Sequence, residues 1–159
     1  MQDLLPLAEK LAVRLKARGD TIAVAESSTG GLISAALLSV AGASAYFRGG
    51  SVIYTQYARA GFLDIADLPG GMRASSEPYA SLLATTVRSR LGASWGLSET
   101  GATGPTGNRY GDAAGHTCIG LEGPGFSRAV TLETGSTDRV ANMRAFAKHA
   151  MELLAAALG

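Results

Sequence analysis

Thr21-Ile22-Ala23-Val24-Ala25-Glu26-Ser27-Ser28-Thr29-Gly30-Gly31 is the stretch that decides the fold. Thr21 to Ala25 reads as a short buried strand of β-branched and small apolar residues. Three hydroxyl residues and two glycines follow without a break. Hydroxyl side chains accept hydrogen bonds from the first free N–H groups of a helix. The spacing therefore predicts a strand turning sharply into a helix, capped by Ser27, Ser28 or Thr29 and running to about Val40. Ala35, Ala36 and Ser39 let that helix sit close to a sheet.

The same alternation extends outward. Residues 3–18 place Leu4, Leu7, Ala8, Leu11 and Leu15 on one helical face, with Gly19 as the stop. A strand is expected over Gly50 to Thr55 and a short helix near Ala58–Phe62. A long helix is expected from a Ser75 or Ser76 cap with Pro78 in its first turn, ending at Gly92. Ser94–Glu99 reads as a strand, and Gly115–Leu121 and Arg128–Thr134 as a hairpin joined at Glu122-Gly123-Pro124-Gly125. A last helix is expected over about 138–157. This order predicts a single-domain three-layer α/β/α sandwich with a mixed sheet over residues 1–159.

Composition agrees with a folded domain: 47% of the 159 residues are hydrophobic and 17% charged. A net charge of +1 gives no electrostatic case for nucleic acid or an acidic membrane surface. Cys118 is the only cysteine, so no intramolecular disulfide is possible, and a cytoplasmic setting is expected. Charges at Glu9, Lys10, Arg14 and Lys16 break any leader-like apolar run, and no stretch has the length of a membrane span.

Ligands of open α/β sheets gather where strands end and helices begin. Two segments fit that place: Ala25 to Gly31, and the loop Thr100-Gly101-Ala102-Thr103-Gly104-Pro105-Thr106-Gly107. The hydroxyls of the first are either helix caps or, for one serine, a nucleophile with N–H groups nearby for an oxyanion. Glu26 is expected to face away from Ser27 and to bind backbone or orient a neighbour. The second segment lacks the Gly-Lys-Ser/Thr ending of a Walker loop and the glycine spacing of a dinucleotide fingerprint. It is either structural or a ligand contact.

Order and spacing make these segments specific. Ala25-Glu26-Ser27-Ser28-Thr29-Gly30-Gly31 resembles the Ala-Glu-Ser-Cys-Thr-Gly-Gly motif of the CinA C-terminal family. Gly42-Ala43-Ser44-Ala45-Tyr46-Phe47-Arg48-Gly49-Gly50-Ser51-Val52-Ile53-Tyr54 is similar to that family's Gly-Ser-Ser-x-x-Phe-x-x-Gly-x-Val-x-Tyr. Ser76-Glu77-Pro78, the loop at 100–107 and Asp138-Arg139 resemble its Val-Ser-Glu, Thr-Gly-Ile-Ala-Gly-Pro-x-Gly and Asp-Arg motifs. The resemblance implies an amidohydrolase that converts nicotinamide mononucleotide to nicotinate mononucleotide and ammonia, with no metal or organic cofactor. It also implies a homodimer or higher oligomer, with a small mononucleotide as ligand. Ser27 matches the expected nucleophile and Tyr54 an active-site tyrosine. Ser28, Thr29, Gly30, Gly31, Thr100, Gly101, Gly104 and Arg139 are the implied substrate-binding residues.

One departure is chemical. Arg59 stands where the family has the lysine expected to act as general base. Arginine binds anions but does not readily accept a proton, whereas a desolvated lysine can. Arg59 is therefore carried as a catalytic-site candidate in a changed role. Lys10, Lys16 and Lys148 are the only lysines, and Lys148 alone has a position from which to approach the site. His116 is either an alternative base or a structural strand histidine. Arg109 in the long loop is a further anion-binding candidate. Four residues separate Arg139 from Arg144 where the family has three, turning Arg144 away by about 100°.

Overall fold

The computed structural model describes residues 1–159. Its elements are α1 (Leu5–Arg18), β1 (Ile22–Glu26), α2 (Leu32–Leu38), β2 (Phe47–Val52), α3 (Gln56–Leu63), α4 (Glu77–Arg90), β3 (Trp95–Ala102), β4 (His116–Gly123), β5 (Phe126–Glu133) and α5 (Arg139–Leu158). They form one five-stranded sheet in the order β2-β1-β3-β4-β5. The first three strands are parallel and the last two antiparallel, so the sheet is mixed as expected.

β1 lies at the centre of the parallel part and is buried along its whole length. Its residues alternate between two layers. Ile22 and Val24 join the larger core with Leu11, Leu37, Leu97, Ile119 and Leu154, beneath α1, α2 and α5. Ala23 and Ala25 face α4, beside Ile53, Leu83 and Val87. Helices therefore cover both faces, which is the three-layer sandwich read from the sequence.

α4 approaches the sheet closely because nothing stands between them. A Cβ on Gly96 would lie 2.1 Å from the Ala84 carbonyl oxygen, and one on Gly120 would lie 2.4 Å from that of Ala80. Ser98 donates its hydroxyl to the same Ala80 oxygen at 2.6 Å. At its start, Ser76 caps the helix by accepting from Tyr79 N–H at 3.4 Å.

The chain leaves β1 on one side for β2 and returns past β1 to β3. That reversal opens a crevice at the carboxyl ends of β1 and β3, the usual ligand position in sheets of this kind. Several boundaries shift from the expected ones. β2 begins at Phe47 rather than Gly50, because its register pairs Phe47 with Ile22 at the start of β1. α2 begins at Leu32, after a turn whose geometry is not that of an ordinary cap.

Candidate active site

The turn after β1 is built by two buried carboxylates from different strands. Gly31, at φ 98°, is the N-cap of α2 and supplies no side chain to the helix. The Glu26 carboxylate does that work, accepting from the N–H groups of Gly31, Ile33 and Ser34 at 2.8–3.0 Å and from the Ser34 hydroxyl at 2.7 Å. A carboxylate at a helix N-terminus is also favoured by the helix dipole. Glu99, on β3, takes the turn itself. It accepts from the N–H groups of Ser27 at 3.2 Å and Thr29 at 2.9 Å, and from the hydroxyls of Ser28 at 2.5 Å and Thr117 at 3.1 Å. The Thr29 hydroxyl lies between the two, 2.8 Å from Glu26 and 2.9 Å from Glu99.

Both glutamates are fully buried. Burial pushes the Glu99 carboxyl above its ordinary range, opposed by the hydrogen bonds from Ser28 and Thr29. The expectation that Glu26 binds backbone is met. Glu99 was missed, because nothing in its local sequence marks it. The signal that could have found it is a carboxylate within a buried strand, a type and place that require partners.

Ser27 emerges from this frame half-buried. Its backbone is held by Glu99, but its hydroxyl makes no hydrogen bond to the protein. It opens onto a cleft of 590 Å³ lined by Tyr54, Arg59, Ser75, Tyr79, Thr100 and Gly101, among others. Asn108, Arg109 and Tyr110 close the far side. Two arginines and three tyrosines line this cleft, and no carboxylate does. A smaller cavity of 220 Å³ adjoins it, sharing Tyr54, Gly101 and Asn108 and adding Gly104 and Arg139. Arg139 donates to the Gly104 carbonyl at 2.7 Å and to the Tyr54 hydroxyl at 3.4 Å, bridging the loop and the tyrosine.

Arg59 is half-buried and already engaged. Its Nε donates to the Ile65 carbonyl at 2.9 Å and an Nη2 hydrogen to that of Ala66 at 2.8 Å. The guanidinium also lies beside the Tyr79 hydroxyl, whose pKa burial pushes up against the pull of that charge. Position 59 therefore faces the cleft but fastens the loop at 65–66.

Four candidates lie elsewhere. Ser28 and Thr29 are buried, their hydroxyls taken by the glutamates, and neither lines the cleft. Gly30 sits beside Met143 and Gly31 beside Val52, also outside it. Their side chains and backbone conformations shape the turn, and the Ser28 N–H next to Ser27 has no protein acceptor. Lys148 is exposed on α5, 3.8 Å from Glu152, and Arg144 lies by Met1, Gln2 and Asp3. His116 does not reach Ser27: its ring nitrogens meet Glu133 and the Ser75 carbonyl. Both ring nitrogens are thus engaged away from Ser27, and His116 does not line the cleft. No group of three or more His, Cys, Asp or Glu side chains is placed to hold a metal ion. No helix is long and apolar enough to cross a membrane.

Fold and cleft together define a small α/β domain whose main cleft sits at the ends of its parallel strands. The chain belongs to the CinA C-terminal domain family, whose model matches residues 4–158. A CinA-like protein of Gloeobacter violaceus is 41% identical over 133 residues, covering 82% of this chain and 31% of that protein. One from Anaeromyxobacter dehalogenans is 38% identical over 154 residues, covering 96% of this chain and 37% of its own length. The chain thus spans about a third of these curated relatives. Among solved structures, a competence-damaged protein (CinA) superfamily protein of Klebsiella pneumoniae superposes with a TM-score of 0.90 at 27% identity, covering 98% of this chain and 97% of that one. A competence/damage inducible protein of Agrobacterium tumefaciens gives 0.88 at 27% identity, with 98% and 95% covered.

Proposed function

We propose that this domain is an amidohydrolase acting on nicotinamide mononucleotide, with Ser27 as nucleophile. The observation that carries the reading is the state of the turn. All seven N–H groups of Ser27 and of Thr29 to Ser34 have a protein acceptor, while Ser28 N–H has none. A free hydroxyl is thus followed directly by a free amide. That is the arrangement of a strand-to-helix nucleophile turn, in which the next N–H stabilises the oxyanion.

The cleft suits the substrate. Tyr54, Tyr79 and Tyr110 offer aromatic surface to a pyridine ring, and Arg59, Arg109 and Arg139 offer charge to a phosphate. Ser27 Oγ attacks the carboxamide carbon, the C–N bond breaks, and ammonia leaves with the serine proton. Water then hydrolyses the acyl-serine, giving nicotinate mononucleotide and restoring Ser27. With Arg59 fastened to Ile65 and Ala66, that proton passes through solvent in the cleft, so turnover is slow.

Arg59 also supports a second reading, a catalytically silent domain that keeps the pyridine-nucleotide pocket. Ammonia and nicotinate mononucleotide release, measured beside Ser27→Ala, separates the two. Turnover lost in Ser27→Ala supports the hydrolase. Tight binding without turnover in the native protein supports the silent domain.

A further inference from the structure

Behind the cleft lies a cluster of charges that the proposed chemistry does not use. His116 opens β4 and is 6% exposed. Its Nδ1 is 2.5 Å from Glu133 Oε1, directly across the β4–β5 ladder, and its Nε2 is 3.0 Å from the Ser75 carbonyl oxygen. Both partners accept hydrogen bonds and neither donates them. A neutral imidazole has one N–H and would leave a ring lone pair facing an oxygen lone pair. Only the doubly protonated ring satisfies both contacts.

We propose that His116 is a positioning residue, an imidazolium whose two N–H groups fasten Glu133 and Ser75 and so hold one wall of the cleft. Ser75 has a left-handed backbone, φ 54°, unusual for a residue with a side chain. Such a conformation persists where the surroundings over-determine it, and Ser75 is held at both ends. Its N–H donates to Thr100 Oγ1 at 3.3 Å, and its carbonyl accepts from His116 and from Arg73 Nη1 at 3.3 Å. Ser75 and Thr100 both line the cleft.

The cluster reaches the opposite wall as well. Asp112 Oδ2 is 3.7 Å from His116 Nε2 and takes a forked pair of bonds from Arg73 at 2.5 and 3.0 Å. It also accepts from Asn108 Nδ2 at 2.8 Å, and Asn108 Oδ1 accepts from the Tyr110 N–H at 3.0 Å. The groups facing the ring are therefore Glu133 from β5, Asp112 from the preceding loop, Arg73 from the loop before α4, and the Cys118 thiol at 3.6 Å. Glu77 of α4 completes the set, bonded by Thr131, which itself lies 3.5 Å from Cys118. With His116 charged, Arg73 and His116 balance Asp112 and Glu133. Burial pulls His116 down, but Glu133, the Ser75 carbonyl and Asp112 outweigh it and lift the ring above its ordinary 6.5. The clamp is thus complete below pH 6.5 and is lost as pH rises through the higher folded value.

The test is an NMR titration of the two histidines, His116 and the more exposed His149, together with the backbone amides of Ser75, Thr100 and Tyr110. The His116 midpoint should lie above 6.5, with protons on both nitrogens below it, and the three amides should shift with that midpoint. Binding of nicotinamide mononucleotide to the Ser27→Ala protein, which rests on the proposed function, should weaken about tenfold across that midpoint, the scale of one charge-assisted hydrogen bond. In His116→Gln, which keeps one donor, that pH dependence should vanish. A His116 midpoint at or below 6.5, amides that titrate at a different midpoint, or unchanged pH dependence in His116→Gln would overturn the assignment. Amides that follow His116 while the mononucleotide binds at no pH would leave the clamp standing and remove the ligand. The wild-type titration decides even where the glutamine variant does not fold.

Discussion

Arg59→Lys is expected to raise activity and lower stability at once. The guanidinium holds two loop carbonyls, Ile65 at 2.9 Å and Ala66 at 2.8 Å. A hydrogen bond from a charged group is worth about 1.5–3 kcal/mol when buried. Both bonds are half-exposed or more, and lysine keeps one, so the net loss is about 1 kcal/mol. In a domain of this size that lowers Tm by about 2–4 °C. Against this, an amine among Tyr79, Leu68 and Ile53 sits in surroundings that favour its neutral form. A positioned general base contributes about 10²–10⁴-fold. Because the amine must also be released from the loop, the low end applies, and kcat should rise about 10²-fold. The assay is ammonia release from nicotinamide mononucleotide over a pH series, with thermal melting in parallel. An unchanged kcat in a variant that folds and still binds the mononucleotide would show that position 59 is not where the missing base belongs.

Other outcomes follow from contacts elsewhere. Glu99→Gln replaces an all-acceptor group with one that turns two hydrogens toward existing donors. It should cost about 2–3 kcal/mol, abolish turnover and lower Tm by several degrees. Gly120→Ala puts a Cβ 2.4 Å from the Ala80 oxygen and forces α4 off the sheet, a loss of about 1–3 kcal/mol readable by urea unfolding. Arg73 holds the Asp112 carboxyl below its ordinary 3.8, so its stabilisation is present above that pH and lost as pH falls through the depressed folded value. Melting curves between pH 5 and 2 should show that loss, and Asp112→Asn should remove it. Arg139→Ala frees Tyr54 and the Gly104 carbonyl, and should raise the Kd for nicotinamide mononucleotide at least tenfold by calorimetry with Ser27→Ala as host.

Local pattern carried the architecture a long way. The stripe of Leu4, Leu11 and Leu15, the Gly19 stop and the Ser76 cap are statements about neighbours in the chain, and the structure has them where the residues place them. The hairpin turn at Pro124-Gly125 is of the same kind, with Gly123 paired to Phe126. Pairing between distant strands was not legible in this way. β2 slides three residues earlier because Phe47 meets Ile22, a fact about β1 rather than about β2. The turn was misread for the same reason. Three hydroxyls before a helix look like caps, yet here Ser28 and Thr29 give their protons to carboxylates, the Ser27 hydroxyl caps nothing, and Glu26 takes the helix amides. His116 shows the remaining limit. A strand histidine has the pKa range of a base, and only its two acceptors reveal that both nitrogens are occupied.

Ser27 and Glu99 are 72 positions apart, and the bonds that shape the turn cross that whole interval. Joining such distant segments is slow relative to forming α1 or the β4–β5 hairpin, since a long loop must close before any contact compensates its lost entropy. While the chain is emerging or partly unfolded, residues 27–29 lack the Glu99 half of their acidic frame. The turn that presents Ser27 to the cleft therefore takes shape only when the middle of the sheet has closed. If Ser27 is the proposed nucleophile, a nascent or damaged copy would be chemically inert, and its failure would be silent rather than indiscriminate.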